Sequence, residues 1–422
     1  MTRLLRFELK KIWHRKLWIV PALLFLTLLL WVIVGGYKLI AYRYSSNYRI
    51  YESTTRPYWG MSITEELKAK AREEALALGA EEGYFGNYSA ASLRDKYGQD
   101  SVAYALANFW CDILNTPTEQ ESREQYEEIM RFETQKYRED AENYGSYRFW
   151  QRASHPALQQ IVPGISVWRF WLNTVDYLPL ILGLGALGLI LYLLSPVFSM
   201  EENGGLREVS VSQPKARLWI ASKTVAAMVS GAGVVTFLYV GSFFILGLLF
   251  GFHGWNCSPL GYIAGGYAYG ELYHGCTCLS LTAIRMLVLI LGGAFMGLTV
   301  AACSAFTRNS LSAAGCALAL CTAMESFLFI VGAVWQWMGK ISHPLLGRVD
   351  WMLLKTVCTT PIRLFLNVEV LTAQVPQLAS AYDNQLIHNI MITPDLRACY
   401  LVGMAAVMGI LFALIMRNYG RN

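Results

Sequence analysis

Charged residues are scarce in this sequence: of 422 residues, only 15% are Asp, Glu, Lys or Arg. Soluble chains carry about 25%. Apolar residues fill the gap at 55%, and the mean hydropathy is +0.34. That balance excludes a soluble enzyme, a secreted disulfide scaffold and a nucleic-acid binder built on basic patches. Catalytic motifs are missing too. No GxxxxGK[ST] loop is present to cradle a nucleotide phosphate; Gly332 to Lys340 has the wrong spacing and lies in an apolar run. HExxH and GxSxG are absent. The six histidines are scattered, so no metal site is indicated, the HxCxC run at His274 to Cys278 coming nearest to one. The chain is expected to bind no cofactor of its own and to be no enzyme by itself.

What fills the sequence is long apolar runs. A helix crossing a hydrocarbon layer of roughly 30 Å needs about 20 apolar residues. Six segments meet that length: 17–36, 177–198, 224–252, 286–307, 310–338 and 398–416. The first lacks a small-residue cleavage site and is too long for a signal-peptide core, so it is read as retained. The fold class expected is an all-α polytopic membrane protein of six transmembrane helices.

Lys and Arg set the orientation. Residues 1–16, 199–223, 308–309 and 417–422 hold six, four, one and two of them, whereas the longer 253–285 and 339–397 hold one and five. Both termini are therefore expected in the cytoplasm. Residues 37–176 then lie outside, carrying 16 basic and 20 acidic side chains from Lys38 to Asp176.

This extracellular domain reads as helical. Ser62 to Gly79 and Thr118 to Tyr144 each open with a capping-box spacing, Ser62 to Glu65 and Thr118 to Glu121. A third helix is expected over Ser89 to Leu114, burying Leu93, Tyr97, Tyr104, Leu106, Trp110 and Leu114. Val167 to Trp171 reads as an aromatic belt at the outer interface. The domain is either a cap that handles substrate or senses a partner, or a structural insertion packed against a dimer mate. Cys257, Cys276 and Cys278 lie in the outer segment 253–285, where a disulfide from Cys257 to Cys276 or to Cys278 is open. Residues 339–397 are an extracellular connection that partly re-enters the membrane or does not.

Functional signal concentrates in two cytoplasmic elements. Residues 1–16 interleave apolar side chains with Arg6, Lys10, Lys11 and Arg15 and end near Trp13, the composition of an amphipathic elbow helix lying in the lipid interface. The competing reading is a basic flank that only sets topology. Residues 199–223 mix Glu201, Glu202 and Glu208 with Arg207, Lys215, Arg217 and Lys223 around a short helical piece, which suits docking to another protein.

At Glu202, Gly205, Ser212, Pro214, Arg217 and Lys223 this segment resembles the loop after the second span of ABC-2-type ABC transporter permeases, with Leu206 and Ser222 departing from the usual Thr and Gly. The elbow, the six spans and the large insertion between spans one and two fit that family. The resemblance implies a transmembrane subunit that pairs with a second copy or a paralogue in a bacterial plasma membrane. A separate cytoplasmic ABC ATPase subunit would bind ATP and Mg. Residues 199–223, with Glu201, Gly205 and Arg207 among them, would be the coupling element, and the cargo a lipid, a peptide or another amphipathic molecule.

Glu325 interrupts the fifth span. A charge there costs roughly 2.5–3.5 kcal/mol on insertion scales, so it should face protein or water. It lines the translocation path or the dimer seam, or it is a protonated structural group bonded to Ser304 or Thr322. Ala313 to Ala319 supplies small residues for close helix approach. The rival readings are a membrane sensor or immunity protein whose outer domain binds a ligand without transport, and an ion-driven transporter, which would show more intramembrane charge and repeated halves.

Overall fold

The computed structural model describes residues 2–13, 18–83, 87–139, 160–162, 165–168, 178–203, 216–257, 277–307, 309–323 and 394–419. It is mostly helical, and three of its helices are long and apolar enough to cross a membrane: Leu182–Glu201, Ala216–Phe250 and Leu289–Phe306. Shorter apolar helices, Ile19–Trp31, Ser310–Ala323 and Ala405–Asn418, overlap the other three expected spans. The chain divides into two units, one of residues 1–30, 175–244 and 283–422, the other of 31–174 and 245–282.

In the first unit, helix α1 (Thr2–Trp13) is followed by α2 (Ile19–Trp31). Helices α3 (Leu178–Leu194) and α4 (Pro196–Asn203) are almost continuous, separated at Ser195 because Pro196 has no N–H to offer the preceding turn. Ser304 serves this break: its hydroxyl oxygen accepts from the Phe198 and Ser199 N–H groups at 3.0 Å and donates its proton to the Ser195 carbonyl at 2.7 Å. Ser304 sits on α5 (Cys278–Phe306), and its single proton is committed to the Ser195 carbonyl.

Helix α6 (Ala216–Val235) continues through a π-helical turn, Thr236–Val240, to Phe250, 35 residues in all. At 1.5 Å per residue it is about 52 Å long, well beyond the hydrocarbon thickness. It starts eight residues before the expected span, so residues 216–223 are helix and not loop. Where α6 crosses α5, glycine meets glycine. A Cβ on Gly231 would collide with the Gly293 carbonyl, one on Gly293 would come within 2.7 Å of the Gly231 carbonyl oxygen, and one on Gly297 would strike the Ala227 backbone. Backbone-to-backbone packing of this kind is what small residues permit. The expected small-residue helix, Ser310–Ala323, buries only a narrow face at Ala313, Ala317 and Cys321, and Gly315 has open space around it.

The second unit has its core between two helices. Glu65–Leu78 contributes Ala71 and Ala75, both fully buried, against Ala107, Trp110 and Ile113 of Val102–Asn115. The first helix is capped by Thr64, whose hydroxyl accepts from the Leu67 N–H at 3.3 Å, and not by Ser62. Ser62 instead bridges to Gln160 in an extended pair. Gly79 closes the helix with φ +95°, a left-handed conformation that costs glycine nothing.

The single helix expected over Ser89 to Leu114 is two, Ala91–Tyr97 and Val102–Asn115, divided at Gly98 with φ +83° and restarted by Ser101 as N-cap. Leu93 and Trp110 are buried as expected, but Tyr97 is exposed. The capping box before Glu119–Glu139 is formed in both directions, the Thr118 N–H donating to Glu121 and the Glu121 N–H to the Thr118 hydroxyl. A two-residue hairpin pairs Glu81–Glu82 with Tyr88–Ser89, a small departure from an all-helical domain. Trp168, expected in a lipid-facing belt, is 1% exposed and donates its indole N–H to the Phe252 carbonyl at 3.3 Å. A buried donor needs an acceptor, and the chain turn at 252 provides it.

Candidate functional site

The residues singled out in the two basic elements converge in the first unit. Glu201, in the last turn of α4, is buried, with its side chain 8% exposed. Lys223, two turns into α6, is 1% exposed and brings its ammonium to 2.6 Å from Glu201 Oε1. Lys11 of α1 reaches the same oxygen at 2.9 Å, its own side chain half exposed. Glu201 Oε2 is buried with no hydrogen-bond partner among the described residues, so both cations share one carboxylate oxygen. The Lys223 ammonium also lies over the rings of Phe198 and Trp219, 4.8 and 4.6 Å from their centroids. Removing an ion this far from water costs several kcal/mol, which a close counter-charge and two π faces offset.

The helix that carries Lys11 is held by more than charge. Trp13 donates its indole N–H to Ser230 Oγ at 3.0 Å, and its ring lies 3.6 Å from the position of a Cβ on Gly233. Helix α1 thus packs along α6. Glu8, 2% exposed, sits on the face shared with Leu4 and Ile12, within electrostatic range of both Lys11 and Lys223. A carboxylate placed on the apolar stripe of an otherwise basic helix was the available signal for it. Phe198 and Trp219 had no such signal, because their role depends on where two helices cross.

The other expected residues separate from this cluster. Arg6 and Lys10 are exposed on the far side of α1. Arg217 is exposed on the first turn of α6. Glu202 is in the last turn of α4, and its side chain is outside the described residues, as are Gly205, Arg207, Ser212, Pro214, Arg15, Cys276 and Glu325. The expected loop 199–223 is therefore helix at both ends, and 204–215 lie outside the described residues. Glu201 and Lys223, read from sequence as docking residues, are interior ion-pair partners.

Cys257 and Cys278 carry free thiols, both buried, with the Cys278 N–H donating to the Cys257 carbonyl at 2.9 Å. Burial pushes the Cys257 thiol up from its ordinary value, which disfavours the thiolate needed for exchange. No group of residues suited to a metal ion occurs among the described residues.

Compared with protein-family models, curated proteins and solved structures, the chain matches none.

Proposed function

We propose that this chain is the transmembrane permease subunit of an ATP-driven exporter of ABC-2 type. In this reading it has six spans, an N-terminal elbow helix and both termini in the cytoplasm of a bacterial cell. A cytoplasmic ATPase supplies ATP and Mg chemistry, and a second permease copy or paralogue completes the pathway for a lipid, a peptide or another amphipathic cargo.

The observation that supports it best is the knot of Lys11, Glu201 and Lys223. A coupling element must convey displacement into the membrane without yielding. Residues 204–215 are strung between two helices whose facing ends are tied by a buried ion pair, and the N-terminal helix is tied to the same carboxylate. A push on that segment would move α4, α6 and α1 together. The exposed Arg217 remains available at the root of α6 for an external carboxylate.

The test is a mild-detergent pull-down of the tagged chain, with mass spectrometry and ATP hydrolysis measured on the eluate. Stoichiometric recovery of a Walker-motif ATPase, lost in Arg217→Glu or Glu202→Arg, is expected. Recovery of the chain alone, or with a kinase and no hydrolysis, would favour the sensor reading and remove the coupling assignment.

A further inference from the structure

We infer that the second unit carries a binding groove for an amphipathic anion, a phosphate or carboxylate head on an apolar body. The inference stands on that unit alone and does not need an ATPase partner.

The groove lies between the short 3-10 turn Arg56–Tyr58 and the segment 251–257, is broadly open with a volume of about 620 Å³, and is lined by Arg56, Trp59, Phe252, His253, Trp255 and Asn256 among others. Ligand sites commonly fall in the range of roughly 300–1,000 Å³ and are largely formed before the ligand arrives. This one is braced. The Gly251 carbonyl accepts from the Val167 N–H at 3.1 Å, the Phe252 carbonyl accepts from the Trp168 indole, and the Cys257 N–H returns to the Gly254 carbonyl at 3.1 Å. Gly251 and Gly254 adopt φ +85° and +82°, and a Cβ on Gly251 would press into the His253 ring at 2.8 Å. The segment is held in one shape.

Its chemistry is a cation beside aromatic walls. Arg43 is already paired with Glu52 at 2.9 Å, and His253 Nε2 lies 3.8 Å from the other oxygen of Glu52. Arg56 is exposed and has no side-chain partner among the described residues. Its guanidinium fork matches a phosphate or carboxylate in two parallel hydrogen bonds. Trp255 and Phe252, both exposed, offer apolar faces to whatever the head group is attached to. The segment 251–257 directly follows Phe250, the last residue of the 35-residue apolar helix. A molecule with one charged end and one apolar end matches a cation set beside apolar faces.

The experiment is calorimetric titration of the full chain in dodecyl maltoside micelles, with protein-free micelles as blank. Decyl phosphate is the probe; decanol and inorganic phosphate are the controls. Saturable binding of decyl phosphate, at least tenfold tighter than either control, is expected. Arg56→Gln should weaken it about tenfold and Trp255→Ser several-fold. Both side chains are exposed, so these variants should match the native elution profile. Equal affinity of Arg56→Gln for decyl phosphate would overturn the inference. So would decanol binding as well as the probe, which means a greasy surface only, or inorganic phosphate binding as well, which means a bare anion site.

Discussion

Lys223 is the residue whose surroundings explain most. Cutting Glu201 back to Ala would leave an ammonium at 1% exposure with only two ring faces and a more distant Glu8. Breaking a buried pair by removing one partner costs about 3–5 kcal/mol, whereas exchanging both for apolar groups of similar volume is often neutral. Glu201→Ala should therefore lower the thermal unfolding midpoint in detergent sharply, and the double variant Glu201→Met, Lys223→Met should recover most of the loss. A single variant as stable as the native chain would show that the pair is not desolvated. Ser304→Ala is a milder test. It removes the acceptor shared by the Phe198 and Ser199 N–H groups, while the Ser195 carbonyl keeps the Ser199 hydroxyl at 2.9 Å, and a buried polar group left unsatisfied costs about 1–3 kcal/mol before relaxation. The charges were visible in the sequence, but their meaning was not. A Glu and a Lys at opposite ends of a polar segment read as a docking surface until the two helices that carry them are seen to lie side by side.

The apolar helices were legible because a hydrocarbon-length run is a one-dimensional signal. Their ends were less so, since α6 begins at Ala216 on residues, Ala216 to Lys223, that are too polar to join an apolar run. The crossing of α6 with α5 was hidden for a different reason: a glycine in an apolar helix marks a contact only when its opposite number is known. Gly231→Val should push the two helices apart, because the obstacle is the Gly293 carbonyl and not a side chain that can rotate away. Reduced yield of folded protein and faster proteolysis of the α5–α6 pair are the expected outcomes, with Gly315→Val, which meets open space, as the harmless control.

In the second unit, the capping box at Thr118 could be read directly, while Gly98 was overlooked as a break within an otherwise helical stretch. That capping box has a pH signature. Glu121 accepts from Lys68 at 2.6 Å and from the Thr118 N–H at 2.7 Å, and the lysine contact above all holds its carboxyl below the usual range. The stability it contributes is full above the unfolded carboxylate value of about 4.3 and is lost as pH falls through the lower folded value. Chemical denaturation of the unit followed by tryptophan emission should need less denaturant near pH 3 than near pH 6, and Glu121→Gln should flatten that difference.

At the scale of the molecule, the chain is a helical membrane protein with a second unit that builds its own core from 31–174 and 245–282. Low charge and long apolar runs announced the first property at once. Short two-residue strands and interior tryptophans belonging to the second unit could not be read, because extended pairing between residues as distant as Ser62 and Gln160 leaves no local pattern. The functional proposal rests on a resemblance over one segment, whose two ends, up to Asn203 and from Ala216, are helical.

The N-terminal helix brings one negative and one positive side chain to the knot, Glu8 and Lys11, and finds one of each waiting, Glu201 and Lys223. If α1 lifts away, it takes a balanced pair with it and leaves a balanced pair behind. Neither surface is then a bare ion seeking solvent, although Arg3, Arg6 and Lys10 leave the helix as a whole with a net positive charge. Departure must also break a contact of fit that carries no charge, the Trp13 indole on Ser230. Trp13→Phe should accordingly loosen the helix, seen as faster proteolysis near residue 14, by a factor that stays the same between low and high ionic strength.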